Sequence, residues 1–218
     1  MDRMTMCFAE LILGLNNMVK LKIDDQEIEV PEGTTVLESA KKLNIKIPTL
    51  CYNQHLKPYG GCRICLVEKT QENSSRPPEL IVSCSYPAEN GAIIRTNTER
   101  VIKGRKFIIQ LLLARCPNSD VIQNLAKEYG VSKDDRSDIV GYYLLNKADR
   151  LDQTKCILCG LCVRVCEEIV GMSAISFSGR GIKRKIKTPF DRISETCIGC
   201  SACAYVCPTK AIRIEPAD

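Results

Sequence analysis

Cys156-Ile-Leu-Cys159-Gly-Leu-Cys162-Val-Arg-Val-Cys166 and Cys197-Ile-Gly-Cys200-Ser-Ala-Cys203-Ala-Tyr-Val-Cys207-Pro208 carry one spacing, C-x2-C-x2-C-x3-C, twice in the last third of the chain. Three closely spaced thiolates can wrap one face of an iron–sulfur cube, while the fourth, carried into a following helix, points toward a second cube. That crossed logic assigns Cys156, Cys159, Cys162 and Cys207 to one 4Fe–4S cluster, and Cys197, Cys200, Cys203 and Cys166 to another. The small residues Gly160, Gly199, Ser201 and Ala202 between the ligands let backbone amides approach sulfur. Zinc prefers two CxxC pairs set a dozen or more residues apart, so these tracts are too crowded for it. Disulfides need an oxidising compartment, and the first residues do not read as a complete signal peptide.

Upstream, Cys51, Cys62, Cys65 and Cys84 follow the plant-type 2Fe–2S pattern with its first gap lengthened. Gly60 and Gly61 supply a tight loop before Cys62. His55 is the only histidine, so a Rieske-type centre, which needs two, is excluded by count. It reads as a loop residue. Cys7 and Cys116 stand alone and read as an incidental and a buried thiol.

Fourteen cysteines in 218 residues are many for an ordinary globular chain. The formal charge of +5 counts every thiol as neutral. Three clusters, each −2 once four thiolates are set against a 2+ core, would bring the chain to about −1, so its basicity is internal charge balance and argues little for nucleic acid. The longest apolar run, residues 101–114, is broken by Lys103, Gly104, Arg105 and Lys106 and cannot span a bilayer.

Outward from the cysteines, residues 19–24 alternate as a strand, Asp25-Gln26 reads as the turn, and Glu27-Ile28-Glu29-Val30 reads as the returning strand. Thr34 or Thr35 caps a helix marked by Val36, Leu37, Ala40 and Leu43. Short strands are expected at 80–82 and 92–95, with an exposed loop at 73–78. Helical spacing follows, with Val101, Phe107, Ile108, Leu111 and Leu112 along one helix and Val121, Leu125 and Tyr129 along another, separated by Pro117. A polar linker is expected at 132–137 and a short apolar return at 142–145. Between Cys166 and Cys197, Ala174-Ile175-Ser176-Phe177, a turn at 178–181 and residues 182–187 read as an inserted hairpin, and residues 211–214 as a closing strand. The expected class is α+β. A tail (1–17) precedes a β-grasp 2Fe–2S ferredoxin-like domain (18–98), a helical linker region (99–149) and a bacterial-type 2×(4Fe–4S) ferredoxin-like domain (150–218).

Cys51-Tyr-Asn-Gln-His55-Leu-Lys-Pro58, Gly61-Cys-Arg-Ile-Cys65-Leu-Val-Glu68, the tract from Lys155 to Glu168, and Ala174-Ile-Ser-Phe-Ser-Gly-Arg-Gly181 together resemble a known family. It is the N-terminal iron–sulfur part of the large iron–sulfur subunit of bacterial NADH dehydrogenases, shared by the diaphorase small subunit of NAD-reducing hydrogenases and the front end of iron-only hydrogenases. In that family a further motif of one histidine and three cysteines holds another 4Fe–4S cluster. Here that stretch reads Leu112-Leu-Ala-Arg-Cys116-Pro-Asn-Ser-Asp120, and no cluster is expected there. The 2Fe–2S centre should then either sit near the cubanes or face a separate partner. The resemblance implies an electron-transfer subunit of an NAD(P)H-linked oxidoreductase complex, in a setting such as electron bifurcation. It would relay electrons between an FMN-containing, NAD(P)H-oxidising flavoprotein and a ferredoxin or other redox subunit. It implies no substrate site in this chain, which ends at Asp218 before any catalytic domain. A cytoplasmic, anaerobic home is expected, without nucleic acid or a membrane span. The alternative is the iron–sulfur subunit of a succinate or fumarate oxidoreductase, against which the long gap from Cys51 to Cys62 and the two complete tracts argue.

Overall fold

The computed structural model describes residues 17–132, 155–192 and 194–213. The expected tail with Cys7, most of the polar linker, the apolar return at 142–145 and the start of the last domain lie outside them. The chain packs as two compact units, one of Met1–Pro48 with Cys65–Val101, the other of Thr49–Ile64 with Ile102–Asp218.

In the first unit, β1 (Met18–Ile23) and β2 (Gln26–Pro31) form an antiparallel hairpin. The register pairs Ile23 with Gln26, so the turn is Asp24-Asp25 and not Asp25-Gln26 as the alternation suggested. The reason is backbone sign. A two-residue hairpin turn that matches strand twist needs positive φ at both positions, which aspartate tolerates, and here φ is 45° and 70°. Asp24 then accepts from the Thr96 amide at 2.8 Å, and Asp25 pairs with Arg95.

Helix α1 (Val36–Lys42) starts on a capping box, in which Thr35 accepts from the Glu38 amide and the Glu38 carboxylate accepts from the Thr35 amide. It buries Val36, Leu37, Ser39 and Ala40. Strands β3 (Leu66–Gln71), β4 (Glu79–Val82) and β5 (Ala92–Arg95) complete a sheet of order β2-β1-β5-β3-β4, in which β1 and β5 run parallel and every other pair antiparallel. Leu21, Ile23, Val30, Val67, Ile81 and Ile94 form the buried side, each contributing about 1.5–3 kcal/mol. Strand β3 escapes a period-two reading because Lys69 occupies a buried position, 8% exposed. Its ammonium pairs with Glu89 and donates to the Tyr86 hydroxyl at 2.6 Å, which donates to Glu89 at 2.7 Å.

In the second unit, α2 (Glu99–Arg115) begins at the unit boundary and is followed by α3 (Asp120–Glu128). Their buried faces match the spacing expectation in part, for Val101 is buried and Ile108, Leu112, Leu125 and Tyr129 are half-buried against the core. Val101, Ile109 and Leu113 face inward on α2 while Phe107 and Leu111 are exposed; on α3, Ile122 and Ala126 are buried and Val121 is exposed. The inward stripe of α2 also carries Arg105, 2% exposed, whose guanidinium donates to the Tyr129 hydroxyl at 3.1 Å. A charge on the buried stripe disguises its periodicity.

Short elements carry the cysteine tracts: α4 (Leu161–Arg164), a π-helical turn (Val165–Ile169) and α5 (Ala202–Tyr205). The expected insert is a hairpin of β6 (Ser176–Ser178) and β7 (Lys185–Lys187). Gly179 turns it at φ +75°, where an added Cβ would stand 2.6 Å from the Lys183 carbonyl oxygen. Residues 211–213 form no strand, contrary to expectation. The Ala211 amide donates to Cys207 Sγ at 3.2 Å, so it is committed to a sulfur and not to a ladder. Among the described residues no helix is long and apolar enough to cross a membrane.

Partial burial alone would raise the Glu89 carboxyl, but Lys69 and Tyr86 outweigh it and hold the group below its ordinary value of 4.5. A depressed carboxyl contributes stability above its unfolded value and loses it as pH falls through its folded one. Glu89→Gln should therefore destabilise the chain by about 1 kcal/mol at neutral pH. The gap to the parent should close below about pH 4.5, followed in thermal melts by circular dichroism.

The cysteine sites and their relatives

The loop from Thr49 to Ile64 lies within the second unit. Leu50, Cys51, Leu56, Cys62 and Ile64 are buried in one apolar cluster with Ile109, Leu113, Cys116, Ile157, Cys159, Leu161 and Val165. The Cys62 amide donates to Cys51 Sγ at 3.4 Å. The neighbouring Cys51 sulfur and burial together push the Cys62 thiol far up. In the first unit, Cys65 and Cys84 are each 1% exposed. Ser83 fastens the end of β4 to Cys65, its amide and hydroxyl both donating to the Cys65 carbonyl, at 3.2 and 2.8 Å. His55 is exposed, and its amide donates to Asn53 Oδ1 at 2.9 Å.

The dicluster tracts are shaped by left-handed backbone. Gly160 has φ +77° at the start of α4, and a Cβ there would meet the Phe177 ring at 3.1 Å. Ser201 takes the equivalent place before α5 with φ 64°. Amides are aimed at sulfur: Leu158 N donates to Cys156 Sγ at 3.4 Å, Ala174 N to Cys166 Sγ at 3.3 Å, and Ala211 N to Cys207 Sγ at 3.2 Å. The π-helical turn that carries Cys166 wraps its carbonyl against the amides of Met172 and Ser173, at 2.9 and 3.3 Å.

A cavity of about 330 Å³ is lined by Cys156, Cys159, Cys162 and, from the far end of the chain, Cys207. Neighbouring thiols also feel one another. Burial, with Cys207 and Cys156 among the neighbouring charges, pushes Cys159 up to about 11. Burial with Cys159, Cys156 and Cys207 pushes Cys162 up to about 12. Burial with Cys200 and Cys166 pushes Cys203 up. Cys197 and Cys200 are exposed, and Cys166 and Cys203 half-buried. Among the described residues no three His, Cys, Asp or Glu side chains close on one ion position. Four sulfurs around a cavity suit a polynuclear core, whereas zinc would draw each to about 2.3 Å of one point.

The sequence reading missed the clasp that joins the Cys51–Cys62 loop to α4. Arg164, 8% exposed, donates from Nη2 to the Lys57 carbonyl at 2.7 Å and from Nε to Glu168 at 3.3 Å, and its guanidinium lies 5.3 Å from the Tyr59 ring centroid. Glu168 accepts from the Lys57 amide at 2.8 Å, and that bond, then Arg164, holds its carboxyl below the ordinary value. Two signals were available: an arginine between apolar residues inside a ligand tract, and a first gap long enough to need a fastening of its own. Cys116, as expected, is a fully buried thiol; burial, partly offset by Arg115, pushes it up to about 12.

These features define an iron–sulfur protein, and the family models agree. A 2Fe–2S iron-sulfur cluster binding domain matches residues 16–99, and a 4Fe–4S dicluster domain matches residues 155–211. The chain thus joins one domain of the 2Fe–2S kind to one that holds two 4Fe–4S clusters. Its homologues include an NADH-quinone oxidoreductase subunit of Rhizobium meliloti, 33% identical over 91% of this chain and 24% of the relative. The NADPH-Fe(3+) oxidoreductase subunit alpha of Geobacter sulfurreducens is 34% identical over 91% of this chain and 24% of its own. The NADP-reducing hydrogenase subunit HndD of Solidesulfovibrio fructosivorans is 30% identical over 90% of this chain and 36% of its own. The chain therefore spans about a quarter to a third of these curated relatives. Among solved structures, an NAD+-reducing [NiFe]-hydrogenase in the H2-reduced state superposes with a TM-score of 0.67 at 25% identity, covering 88% of this chain and 86% of that one. These relatives are the kind the resemblance implied and not those of the succinate or fumarate alternative.

Removing Arg164 leaves the Glu168 carboxylate and the Lys57 carbonyl short of a donor in a half-buried place. Arg164→Ala should cost about 2 kcal/mol and Glu168→Gln about half of that. Thermal melts of the full chain measure both, and equal, negligible shifts would show the clasp to be idle.

Proposed function

We propose that this chain is an electron-transfer subunit of an NAD(P)H-linked oxidoreductase complex. Cys51, Cys62, Cys65 and Cys84 hold a 2Fe–2S cluster within residues 18–98. Cys156, Cys159, Cys162 and Cys207 hold one 4Fe–4S cluster, and Cys166, Cys197, Cys200 and Cys203 a second, within residues 150–218. The observation that carries the reading is the cavity in which Cys207 joins the first tract. A cysteine from the second motif on the wall of the first motif's cavity is what a shared two-cluster ligand scheme requires.

Iron–sulfur clusters take up and release single electrons. The work left to the polypeptide is to hold sulfur, exclude water and aim amides. Cys51 and Cys159 share one apolar cluster, and Cys51 is among the charges that Cys159 feels. Their proximity supports direct passage between the Cys51 loop and the first cubane, without the relay whose motif has only Cys116 left. The exposed Cys197 and Cys200, with Ile198 and Tyr205 exposed beside them in sequence, offer a surface to a partner. That partner, in this reading, is a flavoprotein that oxidises NADH or NADPH or another redox subunit such as a ferredoxin, and the complex is cytoplasmic.

Anaerobically purified chain should carry about ten irons, with one binuclear and two cubane signals in spin resonance after reduction. Cys62→Ser should damage only the binuclear signal, and Cys203→Ser only one cubane. Loss of a cubane in Cys62→Ser would overturn the ligand assignment, and colourless protein loaded with zinc would overturn the function. Copurified FMN together with NADH-dependent dye reduction by the native complex tests the flavoprotein partner.

A further inference from the structure

Arg115 ends α2 and lines the cavity of Cys156, Cys159, Cys162 and Cys207. Its Nε donates to the Cys156 carbonyl at 3.1 Å, and its Nη2 donates to the Arg184 carbonyl, also at 3.1 Å. The Cys156 carbonyl is thus doubly held, because the Cys116 thiol donates to it as well, at 3.3 Å. The Arg184 guanidinium lies 4.0 Å from the centroid of Phe177, the ring that occupies the space beside Gly160. One guanidinium therefore ties the first ligand residue of the tract to the inserted hairpin. Both of its partners are neutral carbonyls, and among the described residues no carboxylate lies within ion-pair distance of it.

A guanidinium stays charged at any pH a protein survives. The cavity wall is mostly apolar residues and sulfur, with Lys185 and Thr209 the other polar side chains on it, so the Arg115 field is weakly screened there and adds to that of Lys185. Reduction adds one electron to the thiolate-bound core and makes or breaks no bond, so the reduced form carries one more negative charge than the oxidised form. A fixed positive charge in the wall stabilises the more negative form to the greater extent, which makes reduction easier.

We propose that Arg115 sets the reduction potential of the cluster held by Cys156, Cys159, Cys162 and Cys207, raising it above what the same four thiolates would give without the guanidinium. The inference rests on the ligand assignment made above. Arg115 acts through its charge; its two hydrogen bonds fix where that charge stands. An electron arriving from the Cys51 loop then finds the first cubane a better acceptor than its thiolates alone would make it.

The test is an anaerobic redox titration of the full chain, poised with dithionite and mediators and followed by spin resonance, on the parent, Arg115→Gln and Arg115→Lys. Arg115→Gln should make reduction of one cubane at least tenfold less favourable, a downward shift of about 59 mV or more for one electron. The binuclear centre and the other cubane should stay unmoved. Arg115→Lys keeps the charge and should stay within threefold of the parent. Full iron content with an unchanged potential in Arg115→Gln would overturn the proposal. An equal shift in both variants would also overturn it, since the bridge and not the charge would then matter. Loss of four irons from both variants would make Arg115 a strut and would likewise end it. A parent without cubane signals would instead sink the ligand assignment itself.

Discussion

Cysteine holds an iron–sulfur cluster as thiolate, and a protein interior disfavours thiolates. Cys51, Cys65, Cys84, Cys159 and Cys162 are all buried, and burial together with neighbouring sulfur pushes the thiols of Cys62, Cys159 and Cys162 upward. The polypeptide by itself therefore favours neutral thiols, and metal must supply the compensating charge. Most of what is unusual in the chain follows from meeting that demand. Amides point at Cys51, Cys156, Cys166 and Cys207. The backbone takes positive φ at Leu158, Gly160 and Ser201, beside the ligands. These bonds and turns hold the sulfur-bearing loops in shape.

Elements that bear no cysteine serve as frame. In the first unit, the hairpin of β1 and β2 and the capped α1 establish a hydrophobic layer, and Ser83 uses the end of β4 to hold Cys65. In the second unit, α2 delivers Arg115 and Cys116 to the Cys156 carbonyl, and the inserted hairpin supplies Phe177 against Gly160. Arg164 and Glu168 fasten a long loop that has no regular structure of its own. The charged clasp adds to the apolar cluster in which Leu50, Leu56 and Ile64 of that loop are buried.

Much of this was legible in the residues. Ligand spacing is a local property, because three cysteines within seven residues constrain their own backbone, and the capping box of α1 and the strands with clean alternation are local for the same reason. Reading failed where a charged residue sits on a buried face. Lys69 concealed β3, and Arg105 concealed part of the buried stripe of α2, on which Phe107 and Leu111 are exposed. Both find partners distant in sequence, Glu89 and Tyr86 for one and Tyr129 for the other.

The amino-acid order alone determined the class of the protein and the number and kind of its cysteine sets, since both depend on spacing and residue type. Only the tertiary structure decided what surrounds the sulfur. That Cys207 stands in the cavity of Cys156, that Arg164 reaches the Lys57 carbonyl and that Arg115 leaves a charge on a cavity wall depend on residues 41 or more positions apart in the chain. No local pattern encodes such distances. They exist because burying apolar residues brings remote segments together, and the polar groups carried along must then find their partners.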